Sequence, residues 1–68
     1  MGTSTQTIAL RLKAERKERG WSQDELAKRA GLERKTVNRI ENQHYSPSVD
    51  TLVSLSEALS MPIQGLLS

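Results

Sequence analysis

Residues 21–42 read WSQDELAKRAGLERKTVNRIEN, and the spacing of capping and apolar residues in this stretch decides the fold. Ser22 with Glu25 forms a capping box, in which two side chains satisfy two amide donors left open at a helix start. Trp21 and Leu26 occupy the hydrophobic-staple positions that fix how the chain enters that helix. The helix is expected to run to about Ala30 with Leu26, Ala27 and Ala30 on its inner face. Gly31 supplies the left-handed residue that ends it. Only Gly31, Leu32 and Glu33 separate it from the next apolar stripe, Val37 and Ile40. A second helix therefore spans roughly Arg34 to Asn42, and so short a link makes the two helices cross steeply.

Working outward, residues 1–6 are small and polar without periodicity and read as a flexible arm, leaving residues 7–68 as the folded domain. Ile8, Leu12, Glu15, Arg16 and Arg19 lie on one helical stripe, which Gly20 closes. Beyond a polar loop from Asn42 to Pro47, Ser48 caps a helix whose inner face carries Leu52, Leu55 and Leu59. Ser60 and Met61 break it. Pro62, suited to a first helical position, opens a last short helix bearing Ile63, Leu66 and Leu67. No segment alternates as a strand would. The expected fold is all-α: five short helices in one domain, with no internal repeat.

Composition narrows the function classes. Cysteine is absent and histidine occurs once, which removes disulfides, thiol chemistry and any ordinary zinc site; neither metal nor cofactor is expected. No apolar run approaches the ~20 residues of a membrane span. Gln6 stands where a myristoylation signal needs Ser or Thr. A soluble cytoplasmic protein is the resulting expectation. Net charge is only +2, but it runs from +3 over residues 1–20 through +1 over 21–42 to −2 over 43–68. One end of the chain suits an anion, and the other suits water or a protein. The single imidazole, His44, stands beside Tyr45 with no nucleophile, base and orienting group around it, so an enzyme is not expected.

Counted from Gln23 as the first place, Ala27 falls fifth, Gly31 ninth, Val37 fifteenth and Ile40 eighteenth. Ala27 is small where two helices touch, Gly31 permits the turn, and Val37 and Ile40 wedge the second helix from behind. Together with residues 16–20, 21–27 and 30–32, Ile40-Glu41-Asn42, Ser46-Pro47-Ser48 and Ala58-Leu59, this order resembles the Cro and phage-repressor type (XRE, lambda-repressor-like) helix-turn-helix domain over about residues 8–67. The resemblance implies a five-helix domain whose third helix enters the DNA major groove, usually as a dimer on a two-fold operator. It further implies a repressor-like, sequence-specific transcription regulator.

The residues fit that implication physically. A helix over 34–42 is about 13 Å long at 1.5 Å per residue, against a groove ~12 Å wide. With Val37, Ile40 and Glu41 turned inward, Arg34, Lys35, Asn38 and Arg39 face outward, at positions where the family reads bases. Arg and Lys suit guanine O6 and N7, and Asn suits adenine or a phosphate. Thr36, at the edge of that face, is grouped with the phosphate contacts. Gln23 reads either as a helix-tolerant residue beside a cap or, with the free amides of its turn, as a phosphate ligand. Asn42 reads as a phosphate contact or a helix cap. Arg16 and Glu41 both fall on inward stripes and match a family ion pair beneath the recognition helix; two unpaired buried charges would be costly, so each argues for the other.

Two departures from the family pattern stand out. The loop after the recognition helix carries His44 and Tyr45, which can donate to phosphate, where lysines are common. Glu33 replaces a usual Ser or Thr cap and repels phosphate, a feature compatible with a cytosine contact or with sharper rejection of wrong sites. At the apolar tail, Leu66 and Leu67 cannot both be covered by so short a helix. Either one closes the core, or Met61, Leu66 and Leu67 meet a second copy across a two-fold axis, placing paired recognition helices ~34 Å apart. The alternative to a repressor is an antitoxin or other protein-interaction module, with a partner such as a toxin and DNA binding secondary.

Overall fold

The computed structural model describes residues 5–67. Among them are five helices and no strand: α1 Thr5–Glu18, α2 Gln23–Ala30, α3 Arg34–Glu41, α4 Val49–Ala58 and α5 Gln64–Leu67. Some expected boundaries move. Thr5 and Gln6, assigned to a flexible arm, are the first residues of α1. A first helical turn leaves its amides without helical partners in any case, so polar residues are at home there. Residues 1–4, the remainder of that arm, and Ser68 lie outside the described residues. Asn42 caps α3 rather than extending it. α5 opens at Gln64, after a tight turn in which the Gly65 and Leu66 amides donate to the Pro62 and Ile63 carbonyls, each at 2.9 Å.

The helix starts follow from their serines. The Ser22 hydroxyl accepts the Glu25 amide at 3.0 Å, and the Ser48 hydroxyl accepts the Thr51 amide at 3.2 Å. The Glu25 carboxylate is turned the other way, taking Arg29 Nε at 2.7 Å, so an ion pair one turn along replaces the reciprocal half of the capping box. Trp21 rests against the core, with the Arg29 guanidinium 4.3 Å from its ring centroid and that of Arg19 at 5.8 Å.

The first four helices end in one way. A left-handed residue follows each: Gly20 at φ 73°, Gly31 at 69°, Gln43 at 63° and Ser60 at 54°. The next amide reaches back five residues, from Trp21 to Arg16, Leu32 to Ala27, His44 to Arg39 and Met61 to Ser56, at 2.8–3.1 Å. Two glycines make this cheap. Gln43 and Ser60 each accept a cost of about 1–2 kcal/mol, which the satisfied carbonyls and the packing of the following turn offset.

Each helix contributes to one core, formed by Ile8, Leu12, Leu26, Ala27, Val37, Ile40, Leu52, Leu55, Leu59 and Leu66. α1 packs on α3 and α5, and α2 packs on α3 and α4. This arrangement corrects one expectation: Leu66 is fully buried in the chain's own core, so it is not available to a dimer interface. Met61 and Leu67 are half-buried at the margin, the Met61 methyl lying where a Cβ on Gly65 would fall.

Arg19 ties the end of α1 to the end of α4. Its guanidinium donates to the Glu15 carboxylate at 2.8 Å, the Glu15 carbonyl at 2.7 Å and the Leu59 carbonyl at 2.7 Å. The Arg19 hydrogen bond holds the Glu15 carboxyl below its ordinary value against partial burial, with the charges of Arg19 and Arg11 helping. A lowered carboxyl stabilises the fold above the ordinary carboxylate range and loses that contribution as pH falls through the depressed value. In thermal melts, Glu15→Gln is therefore expected to be less stable than the parent at pH 7, with the gap closing as pH drops below about 4. A gap that stays constant with pH would contradict this account.

Candidate nucleic-acid interface

The inner side of α3 is fixed by Val37 and Ile40, both fully buried, and by Glu41, 8% exposed. With that wedge in place Arg34, Lys35, Asn38 and Arg39 are all exposed, while Thr36 is half-buried at the edge. Glu33, Arg34, Lys35 and Asn38 line a shallow recess where α3 begins. Glu33 is the N-cap residue with extended backbone, and its side chain makes no capping bond. The start of α3 therefore combines exposed cations with one exposed acid. The outer face of α3 carries no further fixed negative charge, since Glu41 lies on its buried side.

Beneath this face Arg16 and Glu41 meet in a bidentate pair, Nε to Oε2 at 2.7 Å and Nη2 to Oε1 at 3.0 Å. The remaining Arg16 nitrogen donates to the Trp21 carbonyl at 2.8 Å. α1, the α1–α2 link and α3 are thereby joined through one guanidinium. Such a pair is tolerated in a small core because every polar group in it is used; among the described residues no buried side-chain nitrogen or oxygen lacks a partner.

Gln23, in the first turn of α2, extends the network outward. Its Nε2 donates to Glu41 Oε1 at 3.1 Å, and its Oε1 accepts Asn38 Nδ2 at 3.1 Å. Asn38 Oδ1 in turn accepts Asn42 Nδ2 at 3.2 Å. The structure thus brings Gln23, Asn38 and Asn42, from two helices and a cap, into one hydrogen-bonded row. Sequence spacing does not reveal this row, since Gln23 and Glu41 are 18 residues apart and each has an ordinary local reading. His44 and Tyr45 are exposed just beyond α3, on a turn held by the His44 amide and the Arg39 carbonyl at 2.8 Å. Among the described residues no His, Cys, Asp and Glu cluster could hold a metal ion, and no helix is long and apolar enough to cross a membrane.

A short two-helix unit with a wedged, cationic second helix defines a class of protein, and the chain belongs to it: residues 12–66 match the helix-turn-helix family HTH_3. It is 38% identical over 60 residues to the immunity repressor protein of Bacillus phage phi105, covering 88% of this chain and 42% of that protein. It is 32% identical over 54 residues to antitoxin HipB of Escherichia coli O6:H1 (strain CFT073), covering 79% of this chain and 57% of the relative. The crystal structure of the restriction-modification controller protein C.AhdI from Aeromonas hydrophila superposes with a TM-score of 0.88 at 29% identity, over 91% of this chain and 94% of that one. The chain thus spans about two fifths to three fifths of the length of these curated relatives. By name these three are a repressor, an antitoxin and a controller protein.

Proposed function

We propose that this chain binds double-stranded DNA sequence-specifically and represses transcription, with α3 seated in the major groove. The observation that carries the reading is the division of α3 into a fully buried rear, Val37 and Ile40, and an exposed front bearing Arg34, Lys35, Asn38 and Arg39. In this reading those four residues meet base edges, and Thr36, Asn42, His44 and Tyr45 surround them as phosphate ligands, while the Gln23 amide, expected from the sequence to join them, is engaged with Glu41 and Asn38. Such a regulator works in the cytoplasm. It acts as a homodimer through Met61, just before α5, and Leu67, at the end of α5, because two half-site grips give the affinity that one short helix lacks.

Selection of bound sequences from a random duplex pool, for the parent and for Arg39→Ala, tests this. The expected product is a two-fold symmetric site with half-sites one DNA turn, ~34 Å, apart. Arg39→Ala should lose preference at one symmetric position, by about 1–3 kcal/mol. Recovery of no common sequence by the parent would refute the reading. The likeness to HipB favours one alternative, a module that chiefly binds a protein such as a toxin. Salt separates the two: DNA contact predicts log affinity falling with log salt at about −0.9 per phosphate, and an apolar protein interface gives a far flatter line.

A further inference from the structure

The geometry points to Gln23 as a positioning residue that sets the amide polarity of Asn38 and so makes Asn38 a reader of adenine; this rests on α3 lying in the major groove. The starting point is Glu41. Gripped by Arg16 through both oxygens, its carboxylate can only accept hydrogen bonds. Gln23 must therefore present Nε2 to Glu41 and Oε1 to Asn38. An oxygen facing Asn38 requires its Nδ2 there, which turns Oδ1 toward Asn42 and draws the Asn42 amide nitrogen inward. Three side-chain amides, each otherwise free to flip, are ordered by one buried carboxylate.

What Asn38 retains follows from what it has spent. Its Nδ2 keeps one N–H and its Oδ1 keeps one lone pair, the donor and acceptor that the N7 and N6 positions of adenine need. Asn38 is exposed, and Glu41 is 8% exposed, so the order is imposed from the core and delivered at the surface. Without Gln23, Asn38 is a surface side chain with two nearly equivalent amide orientations, one of which sets oxygen against adenine N7. The row therefore links the ion pair that holds α3 to the choice of base that α3 makes. Gln23 acts through Asn38, not on the DNA backbone.

Sequence selection from a random duplex pool, with the parent, Asn38→Ala, Gln23→Ala, Gln23→Met and the double variant carrying Gln23→Met and Asn38→Ala, decides the matter. Met keeps the half-buried bulk and Ala keeps helix propensity, so one substitution is available if the other melts early. The parent should prefer adenine at one symmetric position. Asn38→Ala and both Gln23 variants should lose that same preference, by roughly fivefold or more. The double variant should lose no more than Asn38→Ala alone, and binding to a duplex lacking that adenine should be unchanged by Gln23→Met. Gln23 variants that weaken every duplex equally would make Gln23 a phosphate ligand and overturn the inference. Retention of the adenine preference by either Gln23 variant, or by Asn38→Ala, would overturn it too. Each of these leaves DNA reading by Arg39 intact, whereas a parent protein that selects nothing removes the groove reading along with it.

Discussion

Arg16→Ala is expected to cost about 3–5 kcal/mol of unfolding free energy, the penalty for stranding one member of a buried ion pair. The side chains of Arg16 and Glu41 are 10% and 2% exposed, and the guanidinium holds both carboxylate oxygens. With Arg16 gone, Glu41 keeps only the neutral Gln23 amide, which cannot offset a desolvated charge. A chain of this size has roughly 3–10 kcal/mol of total stability on the usual per-residue range, so the variant should be partly unfolded at room temperature. The Trp21 carbonyl loses its donor at the same time, loosening the link into α2. Replacing both partners by apolar residues, as in a variant joining Arg16→Met and Glu41→Leu, should recover most of the loss, because the penalty lies in the stranded charge. Urea denaturation of the three proteins measures this directly. A midpoint for Arg16→Ala equal to that of the parent would sink the argument.

The paired charge was legible in the sequence for the same reason that it is costly to break. Arg16 and Glu41 interrupt apolar stripes, and a charge on an inner face needs a partner. Ser22, Ser48, Gly20 and Gly31 were legible because each residue type has a particular chemistry at a helix end. Gln43 and Ser60 do the work of glycine while looking like any polar residue, so the local sequence carries no sign of their left-handed backbone. The start of α1 was obscured by the polar character that a first turn tolerates, and Leu66 could not be told from Leu67 by periodicity in so short a helix. The row through Gln23, Asn38 and Asn42 belongs to tertiary structure: it exists because α2 and α3 cross where those three amides can touch. Pattern reading finds residues that satisfy a local rule, and an amide row obeys none.

Ile40→Ala and Arg39→Ala, one residue apart, are expected to fail in opposite ways. Ile40 is fully buried in the core that Leu12, Leu26 and Val37 share, and truncating it should cost about 2–5 kcal/mol through lost transfer energy and the cavity left behind. Arg39 is exposed, and its loss should move stability by no more than about 0.5 kcal/mol. DNA binding should reverse the order. At a temperature low enough to keep Ile40→Ala folded, its selected sequence should match the parent's, with affinity reduced only by the unfolded fraction. Arg39→Ala, fully folded, should instead lose base preference. Such a crossed result requires one helix to be anchored by one side and to read with the other. If Ile40→Ala kept the parent's stability, α3 would not be wedged from behind. If it selected different bases while folded, the rear of the helix would be setting the register of the front, and the division between anchoring and reading faces would fail.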